Sequence, residues 1–306
     1  MGKRSVLTTV RRMASNYELY LFLLPTVAFF AIFHYAPMYG IRIAFTNYKP
    51  GMAISQAPWV GLKNITDFVG SRMFWRSINN TVILSLYSIC VGFLPPIFFA
   101  LMLNQVKSSH FKKLVQNISY MPNFISVVVL VGMINAFFSS GSGIINQLIK
   151  IAGGSSVPFL TKAQYFRSLY VGSGVWQGMG WGAIVYLAAL SGINPEFYEA
   201  ATIDGATRFQ KIGHIEIPSI LPTVIILFIL TVGNFMSVGF EKVLLMQQNT
   251  NLSTSEILST YVYKVGLLNA DYSQSTAINL FNSLINFCLL VLANGIAKRL
   301  SEVSLW

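Results

Sequence analysis

Six long segments of this chain are apolar almost throughout. Each is close to the ~20 residues that an α-helix needs to cross the hydrocarbon core of a bilayer. They cover residues 18–42, 78–104, 117–138, 168–191, 219–240 and 275–297. Segments of this kind cross as helices, because a chain in lipid must satisfy its own backbone polar groups. The sequence predicts an all-α polytopic membrane protein with six transmembrane helices, made of an N-terminal tail (residues 1–17) and a transmembrane domain (residues 18–306).

The composition favours a membrane protein over a soluble one. Hydrophobic residues make up 54% of the chain and charged residues only 10%, whereas about a quarter of a soluble domain is charged. In a soluble protein the net charge of +11 would suggest a nucleic-acid partner. Membrane proteins instead carry Lys and Arg in their loops, so we expect no nucleic-acid binding. Both cysteines, Cys90 and Cys288, lie in apolar segments, which argues against a disulfide framework.

The distribution of Lys and Arg predicts the orientation, because cytoplasmic loops carry an excess of these residues. On one side they are dense in short segments: Lys3, Arg4, Arg11, Arg12, Lys107, Lys112, Lys113, Arg208, Lys211, Lys298 and Arg299. The opposite side has nearly as many, spread over much longer loops. We therefore predict that both termini and the loop of residues 192–218 are cytoplasmic.

The loop of residues 192–218, between the fourth and fifth segments, carries signals for two short helices. Asn194 can cap a helix whose first position suits Pro195. Gly205 then provides a turn, because glycine tolerates the left-handed backbone conformation. A second short helix follows through Phe209, and the sequence predicts a helix–turn–helix finger beneath the membrane.

The same loop contains residues at a fixed spacing. In chain order they are Glu199, Ala200, Ala201, Gly205, Ile215 and Pro218. This pattern resembles the EAA motif of the membrane subunits of ATP-binding-cassette importers, EAA-x3-G-x9-I-x-L-P, with Ile217 in place of the usual Leu. The alternative is an amphipathic cytoplasmic loop without a partner. The match of every spacing, and the position between two predicted spans, favour the motif.

The resemblance covers nearly the whole chain. The chain resembles the sugar-permease branch of the family, close to the LplB-like polysaccharide and oligosaccharide permeases. The matching stretches are FHY from Phe33, PMYG from Pro37, WVGLKN from Trp59, YVGSGVWQGMGW from Tyr170, VGFEK from Val238 and STYVY from Ser259. These stretches are specific for the family and less specific for the substrate.

This resemblance implies a type I importer permease fold and a non-catalytic subunit that forms half of a translocation pore in a bacterial cell membrane. The implied partners are a second homologous permease subunit, two ATP-binding-cassette ATPase subunits, an extracytoplasmic solute-binding protein, a saccharide substrate and the lipid bilayer. ATP and Mg would bind to the ATPase, and no cofactor is expected on this chain. The residues implied in coupling to the ATPase are Glu199, Ala200, Ala201, Asp204, Gly205, Ile215 and Pro218.

Polar and aromatic residues within the apolar segments are candidates for the substrate pathway. Aromatic faces pack on sugar rings and amides bind hydroxyl groups. The candidates are Trp176, Gln177, Trp181, Thr231, Asn234, Asn282 and Asn123. Each could instead anchor an interface or join two helices. We favour the cavity for Asn234, because no charged residue competes for that role.

Three glycines of the fourth segment recur every four residues and therefore share one helix face. They are Gly174, Gly178 and Gly182. Small residues at this spacing let helices approach closely, so the pattern predicts a packing surface.

The sequence lacks the motifs that are typical of several activities. The sequence has no G-x4-G-K-[ST] loop for ATP, its histidines (His34, His110 and His214) make no metal pattern, and no acid pair stands out. Two alternatives remain: a secondary, ion-coupled sugar transporter, and a membrane-embedded enzyme acting on lipid-linked saccharides. The first would be expected to show inverted repeats and the second paired carboxylates or a metal. The sequence does not identify the saccharide.

Overall fold

The computed structural model of the chain describes residues 16–301, with side chains up to residue 299. Most of these residues are helical, and within this range no β-strand forms beyond one isolated bridge between Thr46 and Trp59. The predicted all-α class is confirmed for the described residues. The predicted tail of residues 1–17 lies almost entirely outside them.

Fifteen α-helices are assigned within the described range. They are α1 (Tyr17–Phe30), α2 (Lys63–Val69), α3 (Arg72–Gly92), α4 (Leu94–Asn104), α5 (Ser109–Tyr120), α6 (Val127–Phe138), α7 (Ile144–Ile151), α8 (Ala163–Ser191), α9 (Pro195–Ile203), α10 (Arg208–Lys211), α11 (Ile217–Gly233), α12 (Phe240–Met246), α13 (Leu252–Ser255), α14 (Leu258–Tyr263) and α15 (Tyr272–Ser301). Short 3-10 and π-helical turns extend several of them.

Four helical segments in the described part of the chain are long and apolar enough to cross a membrane. They are Tyr17–Phe45, Arg72–Asn104, Arg208–Gly233 and Tyr272–Arg299. A bent pair, α5 and α6, is a fifth candidate. The predicted count of six is therefore not confirmed. Helix α8, which contains the predicted fourth span, has 29 residues but is not among these segments, because Gly, Ser and Gln interrupt its apolar residues.

The predicted third span, residues 117–138, is not a single straight helix. The segment that ends with the 3-10 turn Met121–Phe124 meets α6 at an angle of 99°. Pro122 has no backbone N–H with which to continue the helix. The side chain of Ser126 then starts α6 by accepting a hydrogen bond from the N–H of Val129 at 3.3 Å. A proline followed by a helix cap therefore separates two helices where the sequence predicted one.

The predicted fifth span, residues 219–240, also differs from the structure, because α11 already ends at Gly233. A non-helical break and the short helix α12 follow. Asn286 of α15 satisfies the backbone of this break. Its Oδ1 accepts a hydrogen bond from the N–H of Met236 at 2.8 Å, and its Nδ2 donates to Oγ of Ser237 at 3.0 Å. Such partners are required where a helix is interrupted inside a membrane.

Helix α8 packs very closely against its neighbours at two glycines. A Cβ atom built on Gly180 would lie 2.1 Å from the carbonyl oxygen of Ser119 in α5. One built on Gly182 would lie 3.2 Å from the ring of Pro96 in α4. The predicted glycine packing face is only partly right, since Gly182 belongs to it but nothing lies within 4 Å of a Cβ on Gly178. The closest approach occurs on a different face of the helix.

A polar network ties α3 to the α13–α14 region at the end of the bundle opposite the 192–218 loop. The buried carboxylate of Glu256 accepts from Nζ of Lys264 at 2.8 Å, and Nε of Arg76 lies 3.7 Å from its second oxygen. Nδ2 of Asn80 donates to the carbonyl oxygens of Ser253 and Glu256 at 3.0 and 3.1 Å. Arg76 and Lys264 are thus paired with a carboxylate, and Nη2 of Arg167 donates to Oδ1 of Asn80 at 2.9 Å.

We expect Gly180→Ala to destabilise the protein, because its methyl group would overlap the backbone of Ser119. Overpacking of this kind costs about 1–3 kcal/mol. The matched control is Gly178→Ala, which removes a glycine from the same helix in open space and is expected to be neutral or slightly stabilising. Thermal unfolding in one detergent compares the two variants. Equal unfolding temperatures would contradict the close approach.

Candidate functional site

A cavity of about 740 Å³, the central cavity, lies between α3, α4, α8, α11 and α12. Its lining follows α8 from Tyr170 to Tyr186, a length of ~24 Å at about 1.5 Å per residue. The volume lies in the range of pockets that bind small ligands. Both α8 and α11 continue from this cavity into the loop of residues 192–218, called the EAA loop below.

Three of the predicted substrate-pathway residues line the central cavity: Gln177, Thr231 and Asn234. Each also bonds to the backbone. Nε2 of Gln177 donates to the carbonyl oxygen of Ile125 at 2.9 Å, across the break before α6. Thr231 and Asn234 donate to the carbonyl oxygens four residues earlier, at 2.7 and 3.1 Å. Since the bonds use donor atoms, the amide oxygens of Gln177 and Asn234 remain as acceptors for a ligand.

The other four predicted residues do not line the central cavity. Trp176 lines a separate apolar cavity of about 290 Å³ beside α6, because successive residues of a helix project about 100° apart. Trp181 packs edge-on against Phe124, with ring centroids 5.6 Å apart. Asn123 lies in the 3-10 turn before α6, and Asn282 lies on α15. A role for these four residues in a substrate pathway stays a prediction.

Lys242 lines the central cavity and was missed by sequence reasoning. Helix α12 holds it at 8% exposure. Its Nζ donates to the carbonyl oxygen of Tyr170 at 2.8 Å and lies 4.7 Å from the centroid of that ring. Among the described residues it is the one charged side chain in the cavity lining. The expectation that no charge competes with Asn234 is therefore wrong. The available signal was a lysine just beyond a predicted span, in the VGFEK stretch.

The EAA loop has the predicted first helix and turn. The predicted second short helix is not separate, because α10 continues through the π-helical turn Ile212–Glu216 into α11. Oδ1 of Asn194 accepts from the N–H of Glu196 at 3.1 Å, and Pro195 opens α9. Gly205 adopts a φ of +73°, which favours glycine. Thr207 and Gln210 cap α10 reciprocally. The predictions of the first helix, the turn at Gly205 and the start of the second helix are confirmed, because each of these signals acts within a few residues of the chain.

The residues predicted to couple with an ATPase lie mostly on the outside of the EAA loop. Those exposed are Glu199, Ala200, Asp204, Gly205 and Pro218, while Ala201 and Ile215 are half-buried. Four of the seven line a recess of about 310 Å³: Ala201, Asp204, Gly205 and Ile215. In the same loop, Ile203 and Phe209 are 87% and 86% exposed. Large apolar side chains exposed this far are typical of a surface that binds another protein.

Glu216 is a buried acid within the EAA motif that sequence reasoning also missed. It occupies the variable position before Ile217 and is fully buried. Its Oε1 accepts from Nδ2 of Asn104 and Nε2 of Gln105, each at 2.7 Å, and from the hydroxyl of Tyr198 at 3.3 Å. Burial and, secondly, the charge of Glu216 raise the pKa of the Tyr198 hydroxyl. One carboxylate therefore joins the end of α4, helix α9 and the start of α11.

The comparisons with known proteins establish the family. Residues 92–302 match the family of binding-protein-dependent transport system inner membrane components. The fold and its loop are thus those of a multi-pass permease subunit, and the chain belongs to this family. The resemblance inferred from the sequence motifs, to the permease subunits of sugar-importing ABC transporters, is confirmed.

Individual relatives resemble the chain over almost its full length. Protein LplB of Bacillus subtilis (strain 168) is 40% identical over 94% of this chain and 91% of its own length. The polygalacturonan/rhamnogalacturonan transport system permease protein YteP of the same organism is 38% identical over 94% and 90%. A crystal structure of a bacterial ABC transporter involved in the import of the acidic polysaccharide alginate matches with a TM-score of 0.89 and 38% identity, covering 96% of this chain and 99% of that chain.

We expect Glu216→Ala to lower the stability of the protein, because the half-buried amides of Asn104 and Gln105 would lose their acceptor. A hydrogen bond of this kind contributes about 0.5–1.5 kcal/mol. The control is Glu199→Ala, since that glutamate is exposed in the same loop and surface changes are usually within about 0.5 kcal/mol. Thermal unfolding of both purified variants provides the comparison. A Glu216→Ala protein as stable as the control would show that the carboxylate does not join these elements.

Proposed function

We propose that the chain is the membrane subunit of an ATP-driven importer of oligosaccharides or polysaccharide fragments, and that it forms half of the translocation pore. The observation that carries this proposal is the position of the EAA loop, which joins α8 and α11, two walls of the central cavity. A force applied to the loop would reach both walls directly. The loop is also short and capped, so it can transmit a displacement.

The coupling step is assigned to the exposed surface of the EAA loop. Glu199, Ala200 and Ala201 belong to α9, and the small side chains of the two alanines let a partner approach closely. The other residues assigned to coupling are Asp204, Gly205, Ile215 and Pro218. An ATPase subunit that holds this surface would move α9 and α10 together. Through Glu216 the same motion would reach the end of α4, a third wall of the cavity.

The proposed saccharide class is inferred from the transport systems to which the relatives of this chain belong. YteP is named as a permease of a polygalacturonan and rhamnogalacturonan transport system. A second structure of the alginate transporter, with a TM-score of 0.90, is in complex with an alginate pentasaccharide-bound periplasmic protein. By analogy we assign to this chain a solute-binding protein, a second homologous permease subunit and two ATPase subunits, which bind ATP and Mg. The assigned location is a bacterial cell membrane, with both termini and the EAA loop cytoplasmic.

Co-purification tests the assembly. The tagged chain is extracted from native membranes in mild detergent, and all co-purifying proteins are identified. A second multi-span permease and an ATPase with a G-x4-G-K-[ST] loop are expected. Recovery of the chain alone from intact membranes would contradict the proposal and favour a secondary transporter.

We expect Gly205→Val to uncouple ATP hydrolysis from substrate. A β-branched residue at φ +73° is strained by about 1–2 kcal/mol or more, which corresponds to a factor of roughly 5–30 in an equilibrium. Substrate-stimulated ATPase activity of the reconstituted importer should fall by about this factor. Gly213→Val is the control, because Gly213 lies in the same loop in open space without a positive φ. Normal stimulation of the Gly205→Val importer would contradict the coupling assignment.

A further inference from the structure

The central cavity contains a buried ammonium group that has no counterion among the described residues. Of the described residues that line the cavity, Lys242 is the one that carries a charge. Within residues 16–299 the ion pairs are those of Glu256 with Arg76 and Lys264, so Lys242 has no carboxylate partner there. Even Glu241, its neighbour in sequence, does not pair with it. The fold pairs Arg76 and Lys264 with a carboxylate, whereas Lys242, the one buried Lys or Arg among the described residues, has none.

The geometry leaves part of the ammonium available to a ligand. An ammonium has three donors, and one is used by the carbonyl oxygen of Tyr170 at 2.8 Å. The ring of Tyr170 adds a cation–π contact, with Nζ 4.7 Å from its centroid. On α8, a Cβ built at Gly174 would lie 3.5 Å from Nζ. Because glycine has no side chain, nothing larger covers the ammonium on that side.

A buried charge without a partner is costly. The cost is offset when the charge is hydrated in an open cavity or meets an anion. Burial lowers the pKa of Lys242 to about 8, so at pH 7 most molecules still carry the positive charge. A lysine that served only to fill space would be replaced at lower cost by an apolar residue of similar length.

We propose that the saccharide carried by this importer bears carboxylate groups, and that Lys242 selects it by forming an ion pair with one of them in the central cavity. This inference rests on the proposed transport function and adds the substrate class. Gln177 and Asn234, which line the same cavity, keep amide oxygens that can accept hydrogen bonds from sugar hydroxyls. The cavity thus combines one cation with neutral hydrogen-bonding groups, as an acidic sugar requires.

The position along the pathway supports a role in selection. Tyr170 and Lys242 lie at the end of the cavity away from the EAA loop, and Tyr186 lies towards the loop. Sugar residues of an oligomer that enters at the first end would meet the ammonium before the rest of the cavity. An acidic oligomer would gain attraction there, while a neutral one would have to displace water from an ammonium without replacing it by an anion.

The test uses the complete importer reconstituted with its own partners, and measures ATP hydrolysis stimulated by the solute-binding protein loaded with saccharide. The probes are oligogalacturonates and malto-oligosaccharides of equal length. Lys242→Met is expected to lower the oligogalacturonate response at least tenfold relative to the wild type. Lys242→Arg, which keeps the charge, should retain most of the response. Lys150→Met is the matched control, because it removes an exposed lysine outside the cavity.

The outcomes separate this inference from the proposed function. If the wild-type importer responds to oligogalacturonates and Lys242→Met responds equally, the inference is wrong and the transport function stands. If the wild-type importer responds only to malto-oligosaccharides, the inference is likewise wrong and the transport function stands. If no saccharide stimulates an importer whose ATPase is active, the proposed function fails and the inference with it.

Two other sources of negative charge give distinguishable results. A lipid phosphate held by Lys242 would appear as a bound anionic lipid in native mass spectrometry, lost in Lys242→Met while the saccharide response is kept. A carboxylate of the second permease subunit would make Lys242→Met reduce the recovery of that subunit and the saccharide-independent rate. Either result would overturn the inference.

Discussion

The absence of a side chain at Gly180 is the constraint on which the rest of the structure depends. It lets the backbone of α8 contact the carbonyl of Ser119, and Gly182 lets it approach Pro96. With α8 held on these sides by α5 and α4, its remaining face is free to line the central cavity from Tyr170 to Tyr186. The same helix then runs into the EAA loop. One close backbone contact thereby fixes the position of both the cavity wall and the loop that would move it.

Interrupted helices are a second feature of the fold. At each break, a polar side chain forms a hydrogen bond with a backbone group that has no helical partner. Gln177 bonds to the carbonyl of Ile125 at the break before α6, and Asn286 bonds to Met236 at the break after α11. Inside a membrane such partners replace water. Amides that the sequence suggests as sugar contacts therefore also form hydrogen bonds with the backbone where helices are interrupted. Gln177 does both, since it bonds to the backbone and lines the central cavity.

The parts of the structure that could be predicted from sequence are those determined by neighbouring residues. Asn194 and Pro195 start α9, and Gly205 makes the turn, as their local chemistry requires. The family resemblance likewise followed from fixed spacings. The 99° break near Pro122 and the early end of α11 at Gly233 could not be predicted from hydropathy, because apolar residues continue through both.

Residues whose role depends on packing were the hardest to assign. Trp176 and Gln177 are adjacent in sequence, but they line different cavities because a helix turns between them. Lys242 and Glu216 were missed for a related reason. Each lies in or next to a break or turn, and the sequence does not show which way the chain runs there. The assignment of individual residues to substrate or ATPase contact remains a prediction, supported by this geometry.

The central claim is that displacement of the EAA loop changes the separation of the cavity walls α8 and α11. The most direct measurement places spin labels at Val185→Cys and Leu230→Cys, both exposed cavity-lining positions, after Cys90 and Cys288 have been replaced. The distance between the labels is measured in the reconstituted importer without nucleotide and with ATP trapped on the ATPase. If the loop moves the walls, the distance changes on ATP binding, and we expect Gly205→Val to reduce the fraction of molecules in which it changes. An unchanged distance in an importer that hydrolyses ATP in response to substrate would contradict it.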